Sequence, residues 1–251
     1  MTFDYNFISK SIVYNICELD SSIMNLGVAK VNEYDDSVNP LEFINHLQSK
    51  NISLVYLKSK VEHNNFKKKL QYFPSVKYMA QNIKYAIQLT RNNDTLTNNN
   101  PSDIIGYNYE IPINHLERLA GACNKYSHLR KDPLIQKKHV DKLYFQWLHK
   151  SIIDKNNGGI LITSINDKII GMLVYSKKFH SINVDLISVE KKMRRQKYGR
   201  KLMEALLFFA KNSGVTTITV ETQTTNIPAN KLYESFGFKI LYKQNIFHCW
   251  L

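Results

Sequence analysis

The stretch Leu186–Leu206, LISVEKKMRRQKYGRKLMEAL, decides how the chain is read. An apolar run of strand character ends near Val189, a basic turn follows, and a helical pattern starts around Gly199. The first turn of a helix presents unpartnered backbone N–H groups and the positive end of the dipole, so this junction makes an anion site. Gly199 lets a phosphate approach the backbone closely. Arg194, Arg195, Lys197, Arg200 and Lys201 surround it with positive charge. Taken alone, the same residues also fit a solvated basic helix start or a generic nucleic-acid patch.

Upstream, the segments 159–165, 168–175 and 181–189 carry strand signals, the first two separated by the turn dipeptide Asn166-Asp167. Amphipathic helices are expected over 113–122 and 140–153. Downstream, a helix over 199–211 with Gly214 just beyond it leads to a β-branched strand at 215–220. A short helix over 227–236 has Pro228 in its first turn and Gly237 past its last. Two closing strands are expected, 238–242 and 246–251. This order predicts an α/β (α+β) fold: a mixed, mostly antiparallel sheet flanked by helices.

The polar, Asn-rich segment RNNDTLTNNNPSD, Arg91–Asp103, reads as a linker. It divides the chain into a smaller α/β domain at 1–92, a linker at 93–104 and a second domain at 105–251. In the first part, 52–57 reads as a buried strand, 41–49 as a helix and 65–72 as a second helix. Residues 76–89 are apolar without a clean period.

The 251 residues are 43% hydrophobic and 22% charged, which excludes disorder as the main state. No apolar run approaches the roughly 18 residues that span a membrane, so no membrane insertion is expected. The N-terminal residues lack the basic flank and apolar core of a signal peptide. Cys17, Cys123 and Cys249 lie far apart with no CxxC pair. That excludes a disulfide framework and a cysteine-rich zinc site, points to no metal, and fits a cytoplasmic location. The balance of 34 basic against 21 acidic residues gives a formal charge of +13. An anionic partner accounts for this, and so does a lysine- and asparagine-rich genome. Three of the six arginines fall within 194–200, a local density that composition bias does not produce.

Arg194, Lys197 and Gly199 in RRQKYG resemble the signature of the GNAT acyltransferases: Arg or Gln, two residues, Gly, one residue, then Gly or Ala. Lys197 stands where the family has its first glycine; its N–H can still face phosphate if its backbone conformation is ordinary. The run Asn226–Phe238, NIPANKLYESFGF, is similar to the family's second block. Asn226, Asn230 and Tyr233 share one helix stripe. A cap role for Asn226 and ring packing for Tyr233 are the structural alternatives. The resemblance implies that the pyrophosphate of acyl-CoA, the co-substrate, is held by Arg194, Arg195, Gln196, Lys197, Tyr198, Gly199, Arg200 and Lys201, with Asn226 and Asn230 also on the donor. It implies oxyanion donors in the main chain of Ile187, Ser188 and Val189, and Tyr233 as proton donor to the leaving thiolate. Many relatives carry a glutamate where Asn183 stands here. The base is then a water relay or Asp185, which alternates to the same face as Asn183; His180 and His248 are further candidates.

Cys17–Val31, Tyr126–Leu148 and Ile246–Leu251 resemble one branch of the family, the dTDP-amino-sugar N-acyltransferases, which carry an extra N-terminal α/β domain. That branch implies transfer of an acetyl or hydroxybutanoyl group to a nucleotide-linked amino sugar for surface polysaccharide such as O-antigen. Ser127, His128, Arg130 and His180 are then candidate substrate contacts. The alternative for SHLRKD is a helix-entry turn with Asp132 as a cap. Two rival functions stay open: a GNAT enzyme acting on a peptide, polyamine or other small amine, which calls for an acidic acceptor groove, and a non-catalytic nucleic-acid-binding protein. The latter wants interleaved basic and aromatic residues, whereas the aromatics here lie mostly on apolar stripes, so no nucleic acid is expected. The oligomeric state is open.

Overall fold

A computed structural model of the chain describes residues 6–8, 12–34, 39–60, 75–89, 101–154 and 157–251. The expected helix over 65–72 and residues 91–100 of the expected linker lie outside these. In chain order the elements are β1 (Asn6–Ile8), β2 (Ile12–Ile16), α1 (Glu18–Met24), β3 (Gly27–Tyr34), α2 (Pro40–Ser49), β4 (Ile52–Lys60), β5 (Val76–Gln88) and β6 (Ile105–Gly106). Then follow α3 (Asn114–Cys123), α4 (His128–Lys131), α5 (Lys137–Ile153), β7 (Gly158–Ile165), β8 (Lys168–Lys178) and β9 (Ser181–Val189). The last are α6 (Tyr198–Asn212), β10 (Thr217–Gln223), α7 (Ile227–Ser235) and β11 (Lys239–Trp250).

The described residues form two compact units that do not follow chain order. The first gathers Met1–Ile83, Ser127–Leu143 and Tyr242–Leu251; the second gathers Lys84–Tyr126 and Tyr144–Leu241.

In the first unit the strands run in the order β1-β2-β3-β4-β11-β5. β3 and β4 are parallel, while β4 and β11 are antiparallel, with Phe247 opposite Leu57 and His248 opposite Tyr56. Asn39 caps α2 by accepting from the Leu41 N–H, and Pro40 fills the first turn. Phe43 and Leu47 on α2 then pack with Val31, Val55, Leu57, Phe247 and Cys249. β4 is buried on both faces, which is why 52–57 is apolar apart from Ser53 and shows no alternation. On its other face the Tyr56 ring lies 5.3 Å from the His128 ring and 5.0 Å from the His248 ring.

In the second unit the order is β5-β10-β9-β8-β7-β6. β7, β8 and β9 form an antiparallel meander and β10 joins β9 in parallel. Asn166 (φ 47°) and Asp167 (φ 60°) both take left-handed backbone, as a two-residue hairpin turn requires. α6 forms because Leu202, Met203, Leu206, Leu207 and Ala210 make one apolar stripe, and it packs on β7, β8 and β9. α3 packs on β8 and β9 through Leu116, Leu119 and Ala120.

Two expectations need correction. The two closing strands are one, β11: the polar 243–245 do not break it, because Asn245 is buried and accepts from Gln81 Nε2 at 3.1 Å. Residues 76–89, which show no period, form the long strand β5, whose buried positions fall on both faces.

Candidate active site

Lys191–Met193 form a 3-10 turn after β9, and α6 starts at Tyr198, one residue before the expected Gly199. Between them, Arg195 (φ 68°) and Lys197 (φ 65°) both adopt the left-handed backbone conformation. The expectation of an ordinary conformation at Lys197 is therefore corrected: the lysine takes the shape for which the family pattern has glycine. Each such residue costs about 1–2 kcal/mol, and two within three positions create a concave run of N–H groups that fits an anion. No side chain caps the start of α6. A Cβ on Gly199 would meet only Leu232 Cδ2, at an ordinary 3.7 Å. The protein's own packing thus does not demand glycine there, and the bare backbone is open to a ligand.

The cations around this turn are unequally committed. Arg194 Nε donates to Val189 O at 3.0 Å, and Arg200 donates to Ser235 Oγ at 3.0 Å while lying over the Phe236 ring. Lys201 pairs with Asp103 at 2.7 Å, and Gln196 Nε2 reaches Lys192 O at 3.4 Å. Arg195 and Lys197 are exposed.

Upstream, the sheet parts. β9 and β10 are paired from Ser181 opposite Thr217 as far as Val184 opposite Val220. β9 continues along β8 to Val189 opposite Gly171, but the β8 register jumps: Tyr175 faces Val184 and Val174 faces Leu186. Asp185 is the extra residue of a β-bulge, a device that bends one strand away from its neighbour. The main chain of Ile187–Val189 lies beyond the last β9–β10 pair. Cys123 Sγ donates to Ile187 O at 3.5 Å.

A cleft of about 400 Å³ lies at the bulge, between β8, β9, the Glu221 position of β10 and the end of α5. Trp147 and Tyr175 give it aromatic surface; Asp154, Asp185 and Glu221 give it carboxylates, and Lys150 one ammonium. Asp185 accepts from Asn183 Nδ2 at 2.6 Å and Ser176 Oγ at 3.1 Å, and Asn183 Oδ1 accepts from Lys84 Nζ at 2.7 Å. Burial raises the Asp185 carboxyl above the usual range, against the opposing pull of Asn183, Ser176 and Lys84. Gly159 shapes this wall, since a Cβ there would lie 2.6 Å from the Tyr175 hydroxyl.

On α7, Asn226 occupies the N-cap position, yet its side chain donates to Thr222 Oγ1 at 3.0 Å instead of capping. Asn230 donates to Thr224 O at 3.0 Å and Gln223 O at 3.3 Å, while its own Oδ1 is buried with no partner. That orphan acceptor suits an amide N–H of a bound ligand. Tyr233 is buried, with its ring 5.9 Å from that of Tyr85 and 6.0 Å from that of Phe238. Burial, then Cys123 and Tyr85, push its hydroxyl above the ordinary phenol value. Tyr233 is therefore a hydrogen-bond donor that stays protonated at neutral pH.

The second unit thus holds the basic turn, Ile187–Val189, Asp185, Asn226, Asn230 and Tyr233. His180 is at the opposite end of β9 from the turn, about 26 Å away along the strand, and its Nδ1 contacts Gly214 O at 3.1 Å. The other expected substrate contacts belong to the first unit. Ser127 caps α4 by accepting from the Arg130 N–H, as the helix-entry alternative has it. Arg130 pairs with Asp141, and His128 Nδ1 lies 2.7 Å from His248 Nε2. Lys84, Asp154 and Glu221 went unnoticed in the sequence, and Cys123 was read only as a cysteine without a pair. Lys84 on β5 and Glu221 on β10 belong to no motif, and only the strand pairing brings them to the bulge.

Residues 124–238 match the profile described as the Acetyltransferase (GNAT) family. Over 96 residues the chain is 29% identical to "Probable N-acetyltransferase camello" of Xenopus laevis, a match covering 37% of this chain and 43% of that protein. A functionally unknown conserved protein of Staphylococcus epidermidis has a similar structure, with a TM-score of 0.67 at 12% identity, covering 100% of this chain and 96% of that one. A GCN5-related N-acetyltransferase from Kribbella flavida gives 0.62 at 13%, covering 97% and 88%. At such identities the likeness is one of fold, and the fold is the GNAT fold.

Proposed function

With residues 124–238 matching the profile of the GNAT acetyltransferases, we propose that this chain transfers an acyl group from acyl-CoA to an amine bound in the cleft beside Asp185. The observation that carries this reading is the succession along one strand: the bulge at Asp185, the stretch Ile187–Val189 that still pairs with β8 but no longer with β10, then the left-handed turn at Arg195 and Lys197 opening α6. Acyl-CoA supplies an activated thioester. Backbone N–H groups at 195–199, with Arg195 and Lys197, hold its pyrophosphate, and Asn230 Oδ1 accepts from its arm. The main chain of Ile187–Val189 faces the carbonyl oxygen, where negative charge develops as the amine attacks. Asp185, with its raised affinity for a proton, takes one from the incoming ammonium. Tyr233 donates a hydrogen bond to the departing thiolate.

Two acceptor classes are supported by different observations. The net charge of +13 and the matches at 17–31, 126–148 and 246–251 support a dTDP-linked amino sugar. The three carboxylates of the cleft support a small cationic amine or peptide. Mass spectrometry of products from acetyl-CoA and hydroxybutanoyl-CoA with a panel of dTDP-amino sugars, diamines and peptides tests the reading. Acylation of none of them, with no donor binding, would overturn it.

A further inference from the structure

Resting on the acyltransferase reading, we propose that Lys84 and Asn183 are positioning residues: they hold Asp185 ionised with its Oδ1 occupied, so that Oδ2 is the atom that takes the proton from the incoming ammonium. β10 lies between β5 and β9, so Lys84 on β5 reaches over two strand spacings, about 10 Å, to meet Asn183 on β9. Its ammonium donates to Asn183 Oδ1 at 2.7 Å, and the Thr219 hydroxyl donates to the same oxygen from β10 at 2.9 Å. An ammonium has donors only, so the Asn183 atom that faces it has to be the oxygen, whereas a hydroxyl can serve either end of the amide. Lys84 therefore decides which way the amide points, and Nδ2 is turned to Asp185 Oδ1, 2.6 Å away. Ser176 Oγ donates to that same Oδ1 from β8 at 3.1 Å. Both side-chain hydrogen bonds of Asp185 thus end on Oδ1, and Oδ2 has none among the described residues. The lone pairs of Oδ2 are then the ones open to a proton, which passes from the ammonium nitrogen and leaves a neutral amine and a neutral acid. With the amide reversed, Asn183 Oδ1 would face Asp185 and favour the protonated acid, which can donate to it. Lys84 also acts through its charge, pulling the Asp185 carboxyl down against its burial. The other titratable groups lining the cleft are Tyr175 on β8, Glu221 on β10, and Lys150 and Asp154 on α5; all of them stay in place when Lys84 or Asn183 is replaced.

The test follows the Asp185 carboxyl carbon by NMR through a pH titration of the full chain carrying isotope-labelled aspartate, with Asp185→Asn assigning the signal. In parallel, the pH profile of kcat/KM is measured with acetyl-CoA and an accepted amine. Lys84→Met keeps the reach of the side chain and removes its donors. Asp185 should then bind its proton about 3-fold or more tightly, and the acidic limb of the profile should move to higher pH, while the KM for acetyl-CoA stays within about 2-fold. Thr219→Val leaves Lys84 in control of the amide and should move the midpoint less than Lys84→Met does. Asn183→Leu removes the relay itself and carries the same expectation as Lys84→Met, so the test does not depend on one variant folding. Because Lys84 acts through Asn183, the double variant should shift less than the sum of the two single ones. An unmoved midpoint in either Lys84→Met or Asn183→Leu, a Thr219→Val shift as large as that of Lys84→Met, or single shifts that add overturns the proposal. Midpoints that move as expected in a chain that acylates no amine uphold the placement of Asp185 and remove the acyltransferase reading; turnover with unmoved midpoints does the reverse.

Discussion

Asp185 on β9 and Glu221 on β10 each stand one residue beyond Val184 and Val220, the last pair that holds those parallel strands together. The two carboxylates therefore flank the mouth of the opening. One side is bent by the bulge, in which Asp185 has no residue of β8 opposite it in register. In the proposed mechanism the proton acceptor thus stands where the two strands part, and this makes Asp185 the first residue to test.

Asp185→Asn should lower kcat by about 10²–10⁴, the range for loss of a general base. In the unaltered protein the carboxyl must be ionised to accept a proton, and burial raises its proton affinity. Activity should then fall as pH drops through a value above the ordinary carboxylate range. That acidic limb should be missing from the kcat/KM profile of the variant. An unchanged limb assigns the base elsewhere.

Tyr233→Phe should reduce kcat about 10-fold or more and leave the KM for acyl-CoA within about 2-fold, because in the proposed mechanism the hydroxyl serves the leaving thiolate and not donor binding. The ring contacts with Tyr85 and Phe238 survive the change, so the fold should too. Steady-state kinetics with acetyl-CoA reads this directly; full turnover takes Tyr233 out of the mechanism.

Arg195→Ala and Lys197→Gly separate side chain from backbone at the turn. The first removes an exposed cation and should raise the KM for the acyl donor about 3-fold to 10-fold. The second relieves a left-handed lysine, keeps the N–H groups in place, and should raise stability by up to about 1 kcal/mol. Donor kinetics and denaturant midpoints check the pair.

The first unit should be acid-sensitive. His248 Nδ1 donates to Asp132 Oδ2 at 2.5 Å, so in neutral rings His248 Nε2 accepts from His128 Nδ1. Burial, then His248, Lys58 and Lys30, hold His128 well below the ordinary imidazole value, against the pull of Asp132. The Asp132 carboxyl, desolvated but bonded by His248, the Leu134 N–H and Trp250, ends below the usual range. Both depressed values act in one direction. The stabilisation from His128 is whole above the unfolded value of about 6.5 and is lost as pH falls toward the folded value; that from Asp132 follows below about 4. Fluorescence of Trp250 in a Trp147→Phe background should show a denaturation midpoint that declines from pH 7.5 to 5. His128→Gln should flatten the decline.

What was legible in the sequence was local. The Asn166-Asp167 turn, the β9–turn–α6 junction, Pro228 and Gly237 around α7, and the stripe of α6 all declare themselves, because backbone preference and side-chain period act within a few residues. The combined spacing of 194–199 and 226–238 was enough to expect the GNAT fold and to propose a donor side for the site. Four things followed only from the tertiary structure. β5 and the Asn245–Cys249 part of β11 are buried on both faces, which erases the alternation that marks a strand. The bulge at Asp185 depends on how β8 is registered against β9, and no residue of β9 alone announces it. The negative charge of the cleft comes from α5, β9 and β10 together, and the buried pairing of Asp132, His128 and His248 from positions more than a hundred residues apart, where strand pairing and desolvation, not local preference, decide what meets.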